Sequence, residues 1–176
     1  GLRLTRGNAL VGGAIFSTEI LTLATNRLGQ NTAGDFGGGI YNDGGTLTLA
    51  RSTLARNSAS AFGGGIYNDG GMLTVTNSTL TANPASDVGG GIYNNGTVTV
   101  SGSTITGNVA NSEQVFYGPT ASYAGGGILN NGLLTITSST FSNNSSTLWA
   151  TGGGGIANRG TLTLTNGSFS NNKAYY

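Results

Sequence analysis

Gly37-Gly38-Gly39-Ile40-Tyr41-Asn42 returns as Gly63–Asn68 and again as Gly89–Asn94, and this recurrence decides the fold. Looser copies stand at Gly12-Gly13-Ala14-Ile15, Gly125–Asn130 and Gly153–Asn158. The shared isoleucine falls at 15, 40, 66, 92, 128 and 156, so the spacings are 25, 26, 26, 36 and 28 residues. A period of this length marks a solenoid, in which each unit buries its apolar side only by stacking on the next. The one long spacing holds a loop insertion at about 109–124, which carries Pro119, in an otherwise regular single domain over 1–176.

Two more short extended stretches complete each unit. Leu47-Thr48-Leu49, Leu73-Thr74-Val75, Val98-Thr99-Val100, Leu134-Thr135-Ile136 and Leu162-Thr163-Leu164 alternate apolar with polar, the period of a strand with one buried face. In the other stretch an apolar residue (Leu28, Leu54, Leu80, Ile105, Phe141, Phe169) is followed three positions later by Asn31, Asn57, Asn83, Asn108, Asn144 or Asn172. Asp43-Gly44, Asp69-Gly70, Asn95-Gly96 and Asn131-Gly132 supply the tight turns. No apolar period of 3.6 residues runs long enough for a helix. Asn-Gly links also close antiparallel hairpins. A meander, however, sets equivalent strands far apart, whereas a three-strand coil lays each strand on its own copy about 4.8 Å along an axis. The sequence therefore predicts an all-β, right-handed parallel β-helix of three-strand coils, about six to seven turns of about 26 residues.

Composition removes whole classes of function. Cysteine and histidine are absent, which excludes disulfide frameworks, thiolate or imidazole metal sites and any triad built on either residue. Only 7% of residues are charged and the net charge is +1, with the seven basic residues spread along the sequence, so no nucleic-acid partner is expected. No run of 18 apolar residues is present for a membrane-spanning helix. Glycine accounts for 33 of 176 residues, yet 36% hydrophobic content and low charge argue for an ordered chain.

The recurring asparagines are expected to point inward at a corner, where an amide meets backbone groups that no strand satisfies, and to bond along the axis as a structural ladder. If Ile40 points inward, strand alternation turns Gly38 inward and Gly37 and Gly39 outward, leaving a bare strip of backbone. Beside it Phe16, Tyr41, Tyr67 and Tyr93 should stack as an aromatic column on the surface. Two readings of that column stay open: a shield for the sheet's own backbone, or an interface for sugar rings or another solenoid.

Gly12-Gly13-Ala14-Ile15, together with Phe141-Ser142-Asn143-Asn144 and Phe169-Ser170-Asn171-Asn172, resembles the two short motifs of the chlamydial polymorphic outer membrane proteins. More broadly, nearly the whole chain resembles right-handed β-helix repeats of pectin-lyase-like folds and of bacterial secreted or surface solenoids. It departs from the first family in carrying Gly-Gly-Gly-Ile in most units and Leu or Ile before x-x-Asn. The resemblance implies an extracellular or cell-surface protein, secreted and bacterial, with a structural or adhesive role.

The same analogy raises polysaccharide lyases and hydrolases. Six acids are available: Glu19, Asp35, Asp43, Asp69, Asp87 and Glu113. Glycoside hydrolysis needs two carboxylates about 5–9.5 Å apart. Asp43 and Asp69 share a phase in adjacent units, as Asp35 and Asp87 do two units apart. Asn95 and Asn131 later take the phase of Asp43 and Asp69, which is turn chemistry, and a calcium ion there would want more oxygens. No catalytic residue, cofactor or metal is expected. The chain begins in what reads as a first-strand motif, Leu2-Arg3-Leu4, and finishes just after a second-strand one, a match that favours head-to-tail stacking. The expected function is a structural, self-associating extracellular solenoid, a filament subunit or surface adhesin segment partnered by itself or by surface glycans. The alternatives are a lyase or hydrolase of the pectin-lyase-like group, and a glycan- or ice-binding module using outward threonines such as Thr46, Thr48, Thr74, Thr97 and Thr99.

Overall fold

A computed structural model describes residues 1–111, 123–147 and 151–175. Every paired strand among them runs parallel to its copy one turn away, and none of them is helical. The unit is well seen in one coil. Thr46–Ala50 forms the first wall, Thr53–Ala55 the second, Ser58–Ala59 the third and Ile66–Asp69 the fourth. The first and fourth walls are six-stranded sheets and the second and third are seven-stranded. The register is that of repetition: Ile40, Ile66 and Ile92 pair in line, as do Leu47, Leu73 and Val98. The chain is a β-solenoid of about 26-residue turns.

The coil thus has four strands where the sequence predicts three. The extra one follows each ladder asparagine; it is five residues long at Thr32–Phe36 but only two or three in the later coils, as at Ser58–Ala59 and Val109–Asn111. So short a stretch has no readable period. A second difference concerns Leu2-Arg3-Leu4. Leu4 pairs with Leu28, in the second wall, and the Gly7 amide donates to Asn31 Oδ1, which puts Gly7 at the phase of the ladder asparagine. Apolar/polar alternation is common to both walls, so three residues could not tell them apart. The insertion expected at about 109–124 lies mostly outside the described residues; Val109–Asn111 and Tyr123–Gly125 on its flanks are strands.

The core is a narrow column. Leu47, Leu49, Leu54 and Ile66 are fully buried in one coil, and Leu73, Val75, Leu80 and Ile92 take the same places in the next. Each such side chain contributes about 1.5–3 kcal/mol relative to exposure. The third wall turns small residues to the interior, Ala33, Ala59, Ala85, Ala110 and Ser146. Small side chains suffice there because the glycine run closes over them.

That run does not form the exposed strip expected from alternation. Gly37, Gly38 and Gly39 are all buried. Gly37 has φ of 66°, outside extended space, so the alternation assumed for a continuous strand breaks there. A Cβ on Gly38 would press into the Ser58 backbone of the following coil, and one on Gly64 into Pro84. The middle glycine of each triplet is therefore needed for close backbone approach.

Single left-handed residues make two of the corners. Arg51 (φ 47°) and Arg56 (φ 57°) precede the buried Ser52 and Asn57, and Asn77, Gly102, Ala82 and Gly107 occupy the same corners in later coils. Two glycine replacements separate the two kinds of constraint. Gly44 has φ of 68° with open space beyond it, so Gly44→Ala should cost only the left-handed penalty of about 1 kcal/mol. Gly64→Ala meets backbone and should cost about 3 kcal/mol, the upper end of overpacking. Equal losses in thermal or denaturant unfolding would refute the packing role of the middle glycine.

Candidate functional site

The buried asparagines of the expected ladder use both ends of their amides. Asn83 Oδ1 accepts from the Asn57 backbone amide at 2.9 Å and from Asn57 Nδ2 at 3.1 Å. Asn57 Nδ2 also donates backward to the Leu28 carbonyl at 3.2 Å. The pattern passes from Asn31 through Asn57, Asn83, Asn108 and Asn144 to Asn172. Asn57, Asn83, Asn108 and Asn144 are wholly buried. A buried amide left unpaired costs about 1–3 kcal/mol, so the ladder holds only as a set.

Two further ladders escape the sequence reading. Asn42, Asn68, Asn94, Asn130 and Asn158 form a second amide row, with Nδ2 donating to the next Oδ1 at 2.7–2.9 Å. Ser52, Ser78, Ser103 and Ser139 form a third, in which each Oγ accepts the backbone amide one coil below. Their signal was present: an Asn two places after Ile40, Ile66, Ile92, Ile128 and Ile156, and a Ser two places before Leu54, Leu80, Ile105 and Phe141.

On the outer face of the fourth wall Phe16, Tyr41, Tyr67, Tyr93, Leu129 and Ala157 stand in register. Successive ring centroids are 5.3, 5.0 and 4.8 Å apart. Phe36 and Phe62 form a neighbouring column, stacked on Tyr67 at 5.0 Å and Tyr93 at 5.1 Å. This second column covers much of the first: Tyr67 is 7% exposed, against 51% for Phe16 at the open end. The aromatic column is thus less superficial than alternation implied, and Phe16 is its most accessible ring.

The tyrosine hydroxyls engage the turn between the fourth and first walls. Tyr41 donates to Asp69 Oδ2 at 3.2 Å, while the Tyr93 hydroxyl accepts from Asn131 Nδ2 at 3.1 Å. Asn95 Nδ2 reaches Asp69 Oδ1 at 3.3 Å, and Asn131 Nδ2 reaches Asn95 Oδ1 at 3.0 Å. Burial, then the Asp69 and Asp43 carboxylates, push the Tyr41 hydroxyl up to about 12 from its ordinary 10.0. Burial likewise raises Tyr67 and Tyr93.

Asp43 and Asp69 do lie side by side in register, and Asp69 is bound into the row just described. Asp35 and Asp87 are separated by a coil in which Ala61 holds their phase. Glu113 is outside the described residues. Among the described residues no three His, Cys, Asp or Glu side chains gather as a metal site.

One turn of this solenoid runs from the left-handed Ser138 through the ladder residue Asn144 to the Gly153-Gly154-Gly155-Ile156 motif and its turn. Residues 138–159 match the Chlamydia polymorphic membrane protein repeat. With the stacked coils, that match makes the chain a β-helix repeat protein. No curated protein and no solved structure matches the chain.

Three measurements follow from these rows. Asn83→Leu orphans corner groups above and below and should lower stability by about 1–3 kcal/mol; an unchanged melt would mean the row is not load-sharing. Asn42 Oδ1 is buried and accepts no hydrogen bond, because Ser17 stands below it where an asparagine would donate. Ser17→Asn should therefore raise stability by about 1 kcal/mol, and a loss would show that the corner has no room for the amide. Finally, the folded tyrosines hold their protons more tightly than the unfolded chain does. Stability is complete below pH 10.0 and falls as pH rises toward the Tyr41 value of about 12, an effect read by melting across that range and absent if the hydroxyls face solvent.

Proposed function

We propose that this chain is a structural segment of a bacterial cell-surface protein, a self-associating solenoid serving as filament subunit or adhesin segment without catalytic activity. The observation that carries the reading is where the repeated polar chemistry goes. Three columns of Asn and Ser recur at fixed phase, and all three bond inside the wall. Repetition of this kind builds a stiff rod and leaves binding to whatever the outer faces present. The polymorphic membrane protein repeat supports the surface location.

Self-association draws support from the outer column of the first wall. Ile20, Met72 and Leu133 are 83%, 56% and 42% exposed, and they alternate with Thr46, Thr97 and Thr161 in one register. Large apolar side chains repeated along a flat face favour contact with another surface. The neighbouring column, Thr22, Thr48, Thr74, Thr99, Thr135 and Thr163, is unbroken and favours the second reading, a glycan- or ice-binding module.

Negative-stain electron microscopy and sedimentation velocity test the proposal together. Rods or lateral assemblies whose size grows with concentration are the expected result. Monomers at every concentration, combined with breakdown of a pectic polysaccharide, would replace it with the lyase or hydrolase reading.

A further inference from the structure

Five of the seven cations, dispersed in sequence, are gathered by the fold. Arg3 and Arg27 are direct neighbours on the second wall. Arg6 and Arg56 occupy the corner after that wall and Arg51 the corner before it, all five in the first three coils and all exposed. Between them the outer column is small, Thr5, Gly29 and Ala55, so the surface dips into a shallow groove walled by Arg3 and Arg27 on one side and by Gln30 and Arg56 on the other. No described acid lies on the second wall or its two corners.

Asp35 lies on the third wall, and three other acids sit at a different turn of the coil. Glu19, Asp43 and Asp69 occupy the turn between the fourth and first walls, one in each of the same three coils. Glu19 and Asp43 are exposed, and stacking sets these turns in a ridge that is uncharged at Asn95 and Asn131 and basic at Arg159 in later coils. Strand stacking fixes the rise of both ridge and groove at about 4.8 Å per coil. Like charges directly opposite each other on neighbouring strands destabilise a sheet, so the Arg3–Arg27 pair is costly in an isolated molecule and relieved by a carboxylate partner.

We propose that the acidic ridge of one copy docks in the arginine groove of a second copy, coil against coil. The inference rests on the self-association reading and names its surfaces. Guanidinium groups meet carboxylates in paired hydrogen bonds, and the small floor of the groove lets the turns approach. Ridge and groove are different faces, so the contact is heterologous and sets rods side by side and parallel, in a ring where the rotation closes and in an open row where it does not.

Charge reversal on each face tests it, using exposed residues outside the ladders. Wild-type protein is expected to associate in sedimentation equilibrium at about 0.05 M salt and at least about tenfold more weakly at about 0.5 M, where screening is short-ranged. Arg27→Glu/Arg56→Glu and Glu19→Lys/Asp43→Lys should each remain monomeric alone, while an equimolar mixture of the two variants associates. If both variants assemble as wild type does, the chain self-associates through another face and this interface is wrong. Wild type that stays monomeric throughout fails the self-association reading itself. Wild type that binds dextran sulfate through the arginines yet never itself would reassign the groove to acidic polymers and overturn the proposal.

Discussion

An asparagine amide that finds every one of its partners inside the wall is the constraint on which this molecule depends. Each coil must turn corners, and a corner takes backbone amides and carbonyls out of the strand ladder. In water those groups would be solvated; here they are sealed between apolar layers. The amide of Asn57 supplies one acceptor to two donors below and two donors to acceptors on either side, which is the full capacity of the group. Aspartate would lack the donors and leucine would lack both functions. This explains why the asparagine holds its position while the apolar residue three places earlier varies among Leu, Ile and Phe.

From that constraint the other features follow by geometry. A left-handed residue comes just before each asparagine of the first ladder and each serine of the third, and Arg, Gln, Asn, Ser, Ala and Gly share that task because the corner faces solvent. The glycine triplet closes the coil on the opposite side, where the third wall carries only alanine and Ser146 inside and the backbones of successive coils nearly touch. Aromatic rings then cover the outside of that closure. Tyr67 lies between Tyr41 and Tyr93 and beneath Phe36 and Phe62, so the rings seal the fourth wall while their hydroxyls tie the turn residues together.

Much of this was written in the spacing of Ile40, Ile66 and Ile92, since only stacked parallel strands give one residue type the same surroundings at so regular a period. The asparagine ladder was legible for the same reason. What the sequence concealed were features that need three dimensions. Ser58–Ala59 is too short to show a period. The burial of Gly37 and Gly39 depends on a left-handed turn at the first glycine, which alternation alone cannot foresee. The second amide row, Asn42 to Asn158, follows outward tyrosines at Asn42, Asn68 and Asn94, and in a strand of three or four residues the inward turn of the next side chain shows only once the coils are stacked. Arg3, Arg27, Arg51 and Arg56 are far apart in sequence and become neighbours only when the coil is wound.

The side-chain rows also give the rod a chemical polarity. In both amide rows every Nδ2 faces the later coil and every Oδ1 the earlier one, and the serine row follows the same sense. The dipoles therefore add instead of cancelling. Any coil seated beyond Asn172 must arrive bearing an oxygen at that phase, and any coil seated before Asn31 must offer an N–H, as Gly7 does. Two like ends brought together would set donor against donor or oxygen against oxygen, so the stack distinguishes forward from backward at every layer.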